Sequence, residues 1–114
     1  MILNVNKLMD RIDGCPDLLT ELVPLFQQTF SQSLRELAAA VETGDAKMIS
    51  QISHSMAGSA SSMSGEKVTA VARAIHDAGT AGELILVDQL QDELRSEFDA
   101  FQQELQELVR GGSR

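Results

Sequence analysis

The chain has 114 residues, enough for one domain with a single hydrophobic core. Hydrophobic residues make up 43% and charged residues 23%, as in ordinary globular proteins, and the formal net charge is −8. This negative charge disfavours nucleic acids and anionic membranes as partners, because both are bound through clustered Lys and Arg.

The sequence pattern leads us to expect neither export nor membrane insertion. No apolar run is long enough to cross a bilayer, and the first residues become polar too soon for a secretory signal. The single cysteine, Cys15, precludes an internal disulfide and agrees with a reducing compartment. We therefore expect a cytoplasmic protein in which Cys15 is inert.

Apolar residues recur at helical spacing along the whole chain, which predicts an all-α protein. A short first helix is expected from Val5 to Ile12, and Pro16 suits the first position of a second helix. The second stripe continues from Leu19 to Val41 through Pro24, so we expect this helix to bend there rather than end.

Glycines and capping residues mark the next boundaries. Gly44 is typical of a helix C-terminus, and Asp45 is typical of the N-cap that follows. Ser64-Gly65 is expected to close the third helix, and Gly79 the fourth. The segment 80–83, Thr-Ala-Gly-Glu, matches a capping box and predicts the start of the last helix.

The last helix has an apolar seam with coiled-coil spacing, formed by Val87, Leu90, Leu94, Phe98, Phe101, Leu105 and Leu108. Long helices joined by short turns predict an up-and-down four-helix bundle with the short additional N-terminal helix as a lid. We expect a single domain over residues 1–110 and a flexible tail over 111–114.

His54 lies in the middle of the third predicted helix and is the leading functional residue. It is about 200° around the helix from inward-facing Ile52, so its ring should point outward. The same face carries Lys47, Gln51, Ala57, Gly58 and Ser61. Beyond the histidine these residues are small, so another macromolecule could close over the ring. An accessible neutral imidazole can accept a phosphoryl group and pass it to a carboxylate.

The segment 54–60, His-Ser-Met-Ala-Gly-Ser-Ala, and the following Met63-Ser64-Gly65 resemble the signature of histidine-phosphotransfer (HPt) domains. That signature is His-x-Leu-Lys-Gly-Ser-Ala, with a hydrophobic-x-Gly further on. The resemblance covers about residues 4–110. It implies that His54 is the phosphoacceptor and that Gly58 provides clearance for the partner.

The resemblance also implies a phosphocarrier in a two-component His-Asp phosphorelay rather than an enzyme. The partners would be response-regulator receiver domains or hybrid sensor kinases, with Mg²⁺ bound by the receiver. We expect no cofactor and no metal site in the chain itself, and a monomer. Docking should involve residues around His54 together with apolar residues of the first two helices, for which Ile2, Leu3, Leu8 and Leu18 are candidates.

One position departs from the family pattern. The family usually has lysine where this chain has Ala57, and that lysine would offset the charge of the phosphate beside the histidine. Lys47, on the same face, and Lys67, in the next helix, are possible substitutes. This departure is the reason to consider an adaptor that binds receivers without carrying phosphate.

Several features have an alternative interpretation. Gly58 could mark a tight helix–helix contact instead of clearance. His76, near a helix end, is expected to have a structural or solvent role. Met48, Met56 and Met63 are expected in the core, or alternatively on a docking surface. Finally, the apolar seam of the last helix could pair between chains, which would make the protein a helical interaction module.

Overall fold

The computed structural model describes the backbone of residues 16–112 and the side chains of residues 20–110. It contains four helices: α1 Pro16–Thr43, α2 Ala46–Ser62, α3 Glu66–Thr80 and α4 Leu84–Gly112. Each helix packs against the next one in the chain, and α4 packs back against α1. The described residues thus form the predicted up-and-down four-helix bundle. The predicted short helix before Pro16 lies outside the described residues.

Three local predictions concern the two prolines and the end of the domain. Helix α1 begins at Pro16, as predicted, where the missing N–H of proline has no helical partner to lose. The helix also continues through Pro24 without ending. Helix α4 extends to Gly112, past the expected domain end at residue 110, so the backbone of residues 111 and 112 is helical.

The turn between α1 and α2 has the predicted caps. Gly44 adopts a φ of +70°, and the N–H of Asp45 donates to the carbonyl of Ala40 at 3.0 Å. This is a Schellman ending, in which the left-handed residue lets the chain turn back on its own helix. The Asp45 carboxylate then accepts a hydrogen bond from the N–H of Met48 at 3.1 Å and caps α2.

The turn between α3 and α4 differs from the prediction. Gly79 is buried inside α3, and Gly82 is the residue with a positive φ, at +75°. The Thr80 hydroxyl donates to the carbonyl of His76 in its own helix at 2.9 Å. Because that hydroxyl is used within α3, it does not cap α4. The helix ends at Thr80, one residue after the predicted end, but Gly79 is not the glycine that ends it, and the predicted capping box is wrong.

The core contains all four phenylalanines of the chain, which pack together between α1 and α4. The rings of Phe30 and Phe98 lie 4.5 Å apart, and the ring of Phe26 lies 5.6 Å from that of Phe101. Burying each such side chain contributes about 1.5–3 kcal/mol.

The apolar seam of α4 belongs to this core. Its buried members are Val87, Leu94, Phe98, Phe101 and Leu105, with Leu90 and Leu108 half-buried. Most of the seam is therefore covered within one chain.

The methionine predictions are partly right. Met56 and Met63 are buried in the core, but Met48 is 44% exposed at the start of α2. Its predicted core position is wrong, because the buried face of α2 begins at the next residue, Ile49. None of the described helices is both long and apolar enough to cross a bilayer.

Candidate functional site

Helix α2 is amphipathic, and this property fixes the orientation of His54. Ile49, Ser53, Met56 and Ala60 are buried at helical spacing along one face. The buried Ser53 hydroxyl is satisfied because it donates to the carbonyl of Ile49 at 2.6 Å. His54 follows it on the opposite side and is exposed, as predicted.

The surface beside His54 is open. The His54 ring makes no hydrogen bond to any described residue. Gly58 is also exposed, and a Cβ added there would have no neighbouring atom within 4 Å. The alternative interpretation of Gly58 as a tight helix contact is therefore wrong. Such contacts occur instead at Gly65 and Gly79, where an added Cβ would lie within 3 Å of a core side chain.

The other predicted site residues differ in their exposure to solvent. Lys47 and Gln51 are exposed, Ser61 is half-buried, and Ala57 is buried with only 6% of its surface exposed. The outward position predicted for Ala57 is therefore only partly right, since most of its surface faces the bundle.

A cavity of about 350 Å³ adjoins His54 between α2 and α3. It is lined by His54, Ala57, Gly58, Arg73, His76 and Asp77. Of the predicted site residues, the cavity brings together the histidine, the alanine and the glycine. Lys47, Gln51 and Ser61 are not among its lining residues.

The three residues that α3 contributes to this cavity were not predicted as site residues. His76 is half-buried, and its Nδ1 lies 2.9 Å from the carbonyl oxygen of Ser50 in α2. This contact fits the structural role expected for His76. Its ring centroid also lies 5.6 Å from that of His54. Helical periodicity within one helix carries no signal for this proximity.

The turn predicted at Ser64-Gly65 did indicate that His54 and His76 would lie close together. Helices α2 and α3 are antiparallel and connect through Ser64-Gly65. Residues at equal sequence distances on either side of Gly65 therefore lie at the same level. His54 and His76 form one such pair, and Ala57 and Arg73 form another.

No group of three or more His, Cys, Asp or Glu residues within the described part of the chain is arranged to hold a metal ion. The site therefore offers an exposed imidazole, a bare helix surface and a cavity with a guanidinium group, a second imidazole and a carboxylate. These groups suit the acceptance of a compact anionic group by a nitrogen nucleophile.

The family model of the Hpt domain matches residues 21–109, which are most of the chain. The chain belongs to the Hpt-domain family. This Hpt domain is thus a histidine-containing phosphocarrier of a phosphorelay, and Hpt domains work with response-regulator receiver domains or kinases. The matched range includes His54, Gly58 and the three cavity residues of α3.

A solved structure has the same fold as this Hpt domain. The crystal structure of histidine-containing phosphotransfer protein B (HptB) from Pseudomonas aeruginosa PAO1 superposes with a TM-score of 0.90 at 22% sequence identity. The match covers 96% of this chain and 95% of the other. No curated protein matches this sequence.

Proposed function

We propose that His54 is the phosphoacceptor of this Hpt domain and that it exchanges a phosphoryl group with the aspartate of a receiver domain. The observation that supports this assignment is the accessibility of the His54 ring, which is exposed and stands beside bare helix surface at Gly58. The second histidine, His76, is half-buried and bonded to Ser50 through Nδ1.

The transfer requires little covalent chemistry from the carrier. The lone pair of His54 Nε2 forms the N–P bond while the P–O bond of the aspartyl phosphate breaks. The aspartate leaves as a carboxylate, and the proton on His54 Nδ1 is lost to solvent. Mg²⁺ on the receiver would offset the charge of the transferred group, so the carrier contributes mainly an accessible nitrogen and positioning.

We also propose that the receiver docks around His54, with Lys47, Gln51, Ala57, Gly58 and Ser61 at or near the contact. The candidate docking residues Ile2, Leu3 and Leu8 lie outside the described residues, and the side chain of Leu18 is also outside them. A monomer is proposed because the apolar seam of α4 is buried within the chain. Light scattering at increasing protein concentration tests whether the protein remains monomeric.

The assignment of His54 as the phosphoacceptor is tested by incubating the protein with a panel of receiver domains that have been phosphorylated by acetyl phosphate. Wild type should acquire acid-labile, base-stable phosphate, and mass spectrometry should locate it on His54. His54→Gln should acquire none, whereas the control Arg95→Gln, an exposed residue of α4, should behave like wild type. Equal labelling of His54→Gln would reject the assignment.

The same experiment separates the carrier from the adaptor. An adaptor would bind a receiver without taking phosphate, and its binding would be the same after His54→Ala. The absence of lysine at position 57 is the feature that favours this second candidate. Calorimetric titration with the same receivers, together with the labelling result, distinguishes the two.

A further inference from the structure

The cavity beside His54 raises the question of which group compensates the charge of a phosphoryl group there. Ala57, at the position where the family usually has lysine, lines this cavity without contributing a charge. The charged and titratable lining residues are His54 from α2 and Arg73, His76 and Asp77 from α3. Any charge compensation by the described lining residues must therefore come from the neighbouring helix.

Arg73 has the properties of such a cation. It is exposed on α3, level with Ala57 across the helix pair, and it makes no ion pair or hydrogen bond with any described residue. A guanidinium group presents a planar fork of N–H donors that matches the oxygens of a phosphate. An arginine at this position that has no partner among the described residues is available to a phosphoryl group on the adjacent histidine.

His76 offers a second donor when its ring carries a proton on both nitrogens, and its hydrogen bond to Ser50 determines which of the two N–H groups is then available. The carbonyl oxygen of Ser50 can only accept, so Nδ1 of His76 carries a proton and donates across 2.9 Å. Nε2 makes no hydrogen bond to the described residues. With a ring centroid 5.6 Å from that of His54, this nitrogen belongs to the immediate surroundings of the acceptor.

We propose that the cavity between α2 and α3 receives the phosphoryl group of phospho-His54, with Arg73 as its cation and His76 Nε2 as a hydrogen-bond donor. This inference rests on the proposed function of His54. Arg73 and His76 would then replace, from α3, the lysine that is missing from α2. Asp77 lines the same cavity and opposes binding through repulsion.

The expected consequence is a longer-lived phosphohistidine. A phosphoryl group on His54 carries nearly two negative charges and offers three strong acceptor oxygens. Charge-assisted hydrogen bonds from Arg73 and His76 to these oxygens would stabilise the phosphorylated side chain, so the loss of phosphate should be slower while these contacts are made. Donation from His76 Nε2 to a phosphoryl oxygen requires a second proton on the ring, which is taken up from solvent.

The inference can be tested without a receiver. Phosphoramidate phosphorylates an accessible imidazole: the N–P bond to His54 forms, the donor's P–N bond breaks, and the donor leaves as ammonium with the imidazole proton. The half-life of phospho-His54 is then followed by ³¹P NMR. Arg73→Gln and His76→Asn should each shorten it about threefold, the scale of an exposed charge contact. Asp77→Asn should lengthen it.

Two controls separate these effects from a change in structure. Arg95→Gln removes the same charge from α4, outside the cavity, and should leave the half-life unchanged. Asparagine at position 76 can keep the hydrogen bond to Ser50 but lacks a group equivalent to Nε2. In addition, the ¹⁵N shifts of His76 should report a new proton on Nε2 when wild type is phosphorylated, and no such change in His54→Gln.

Each outcome has a definite meaning. Equal half-lives for wild type, Arg73→Gln, His76→Asn and Asp77→Asn would overturn the inference while leaving the proposed function intact. Altered half-lives without exchange with any receiver would overturn the proposed function alone. Failure of both phosphoramidate and every phosphorylated receiver to modify His54 would overturn both.

Discussion

Gly58 provides the sharpest test of whether the surface beside His54 is shaped for a partner. The residue is inside α2, where glycine is less favourable than alanine by about 1 kcal/mol. An added Cβ would meet nothing within 4 Å, so Gly58→Ala introduces no clash in the folded protein. We therefore expect this substitution to stabilise the fold.

The size of the stability gain in Gly58→Ala follows from helix propensity alone. A gain of about 1 kcal/mol corresponds to a rise in Tm of about 4 °C for a domain of this size. Gly65→Ala is the matched control, because its Cβ would lie 2.8 Å from two atoms of the fully buried Phe101 ring. Overpacking of this kind should destabilise the fold by about 1–3 kcal/mol.

The effect on function should have the opposite sign to the effect on stability. The methyl group of Gly58→Ala would hold a docking partner away from the His54 ring. We expect the rate of transfer from a phosphorylated receiver to fall about tenfold, because misplacement of reacting groups by about 1 Å can cost up to a hundredfold. The loss should be smaller with phosphoramidate, which needs less room.

Thermal unfolding followed by circular dichroism and rapid-quench transfer kinetics measure the two effects. A stabilised variant that transfers phosphate as fast as wild type would refute the clearance argument. A destabilised variant would show instead that Gly58 has a structural role in the bundle.

Three further substitutions have defined outcomes. Ser64 is buried, has a φ of +60° and leaves its hydroxyl without a partner among the described residues. Ser64→Gly should therefore raise the free energy of unfolding by about 1 kcal/mol in urea denaturation, and Ser64→Ala, which keeps the left-handed strain, should gain less. Asp45→Ala removes the cap on the N–H of Met48 and should cost about 1 kcal/mol by the same measurement, whereas an equal loss in Asp45→Asn would contradict a capping role. Ala57→Lys directs an ammonium group toward the cavity and should slow the loss of phosphate from His54 measured by ³¹P NMR; Ala57→Met, of similar length but uncharged, should not.

Local signals predicted the elements of the fold well where the deciding interaction is itself local. Pro16 starts α1, and the pair Gly44-Asp45 forms the first turn, because a fixed φ, a left-handed glycine and a capping carboxylate act within a few residues. The orientation of His54 was predictable for the same reason, since helical periodicity separates an exposed face from a buried one.

The predictions were wrong where contacts with a neighbouring helix determine the local structure. Gly79 resembles a helix end, but it lies inside α3 because its bare surface packs against Ile49 of α2. The hydroxyl of Thr80 could have capped α4, yet it bonds within its own helix while Gly82 makes the turn. A glycine in a sequence does not reveal which of these roles it has, because close packing and a left-handed turn both favour it.

The amino-acid sequence determined that this protein is a helical carrier with an exposed histidine, because periodicity, capping and the motif around His54 are properties of one chain segment. The tertiary structure decided what surrounds that histidine. Arg73, His76 and Asp77 reach it only because α2 and α3 pack antiparallel in one particular register. That register is set by the Ser64-Gly65 turn and by the fit of buried side chains between the helices, which no single helical pattern encodes.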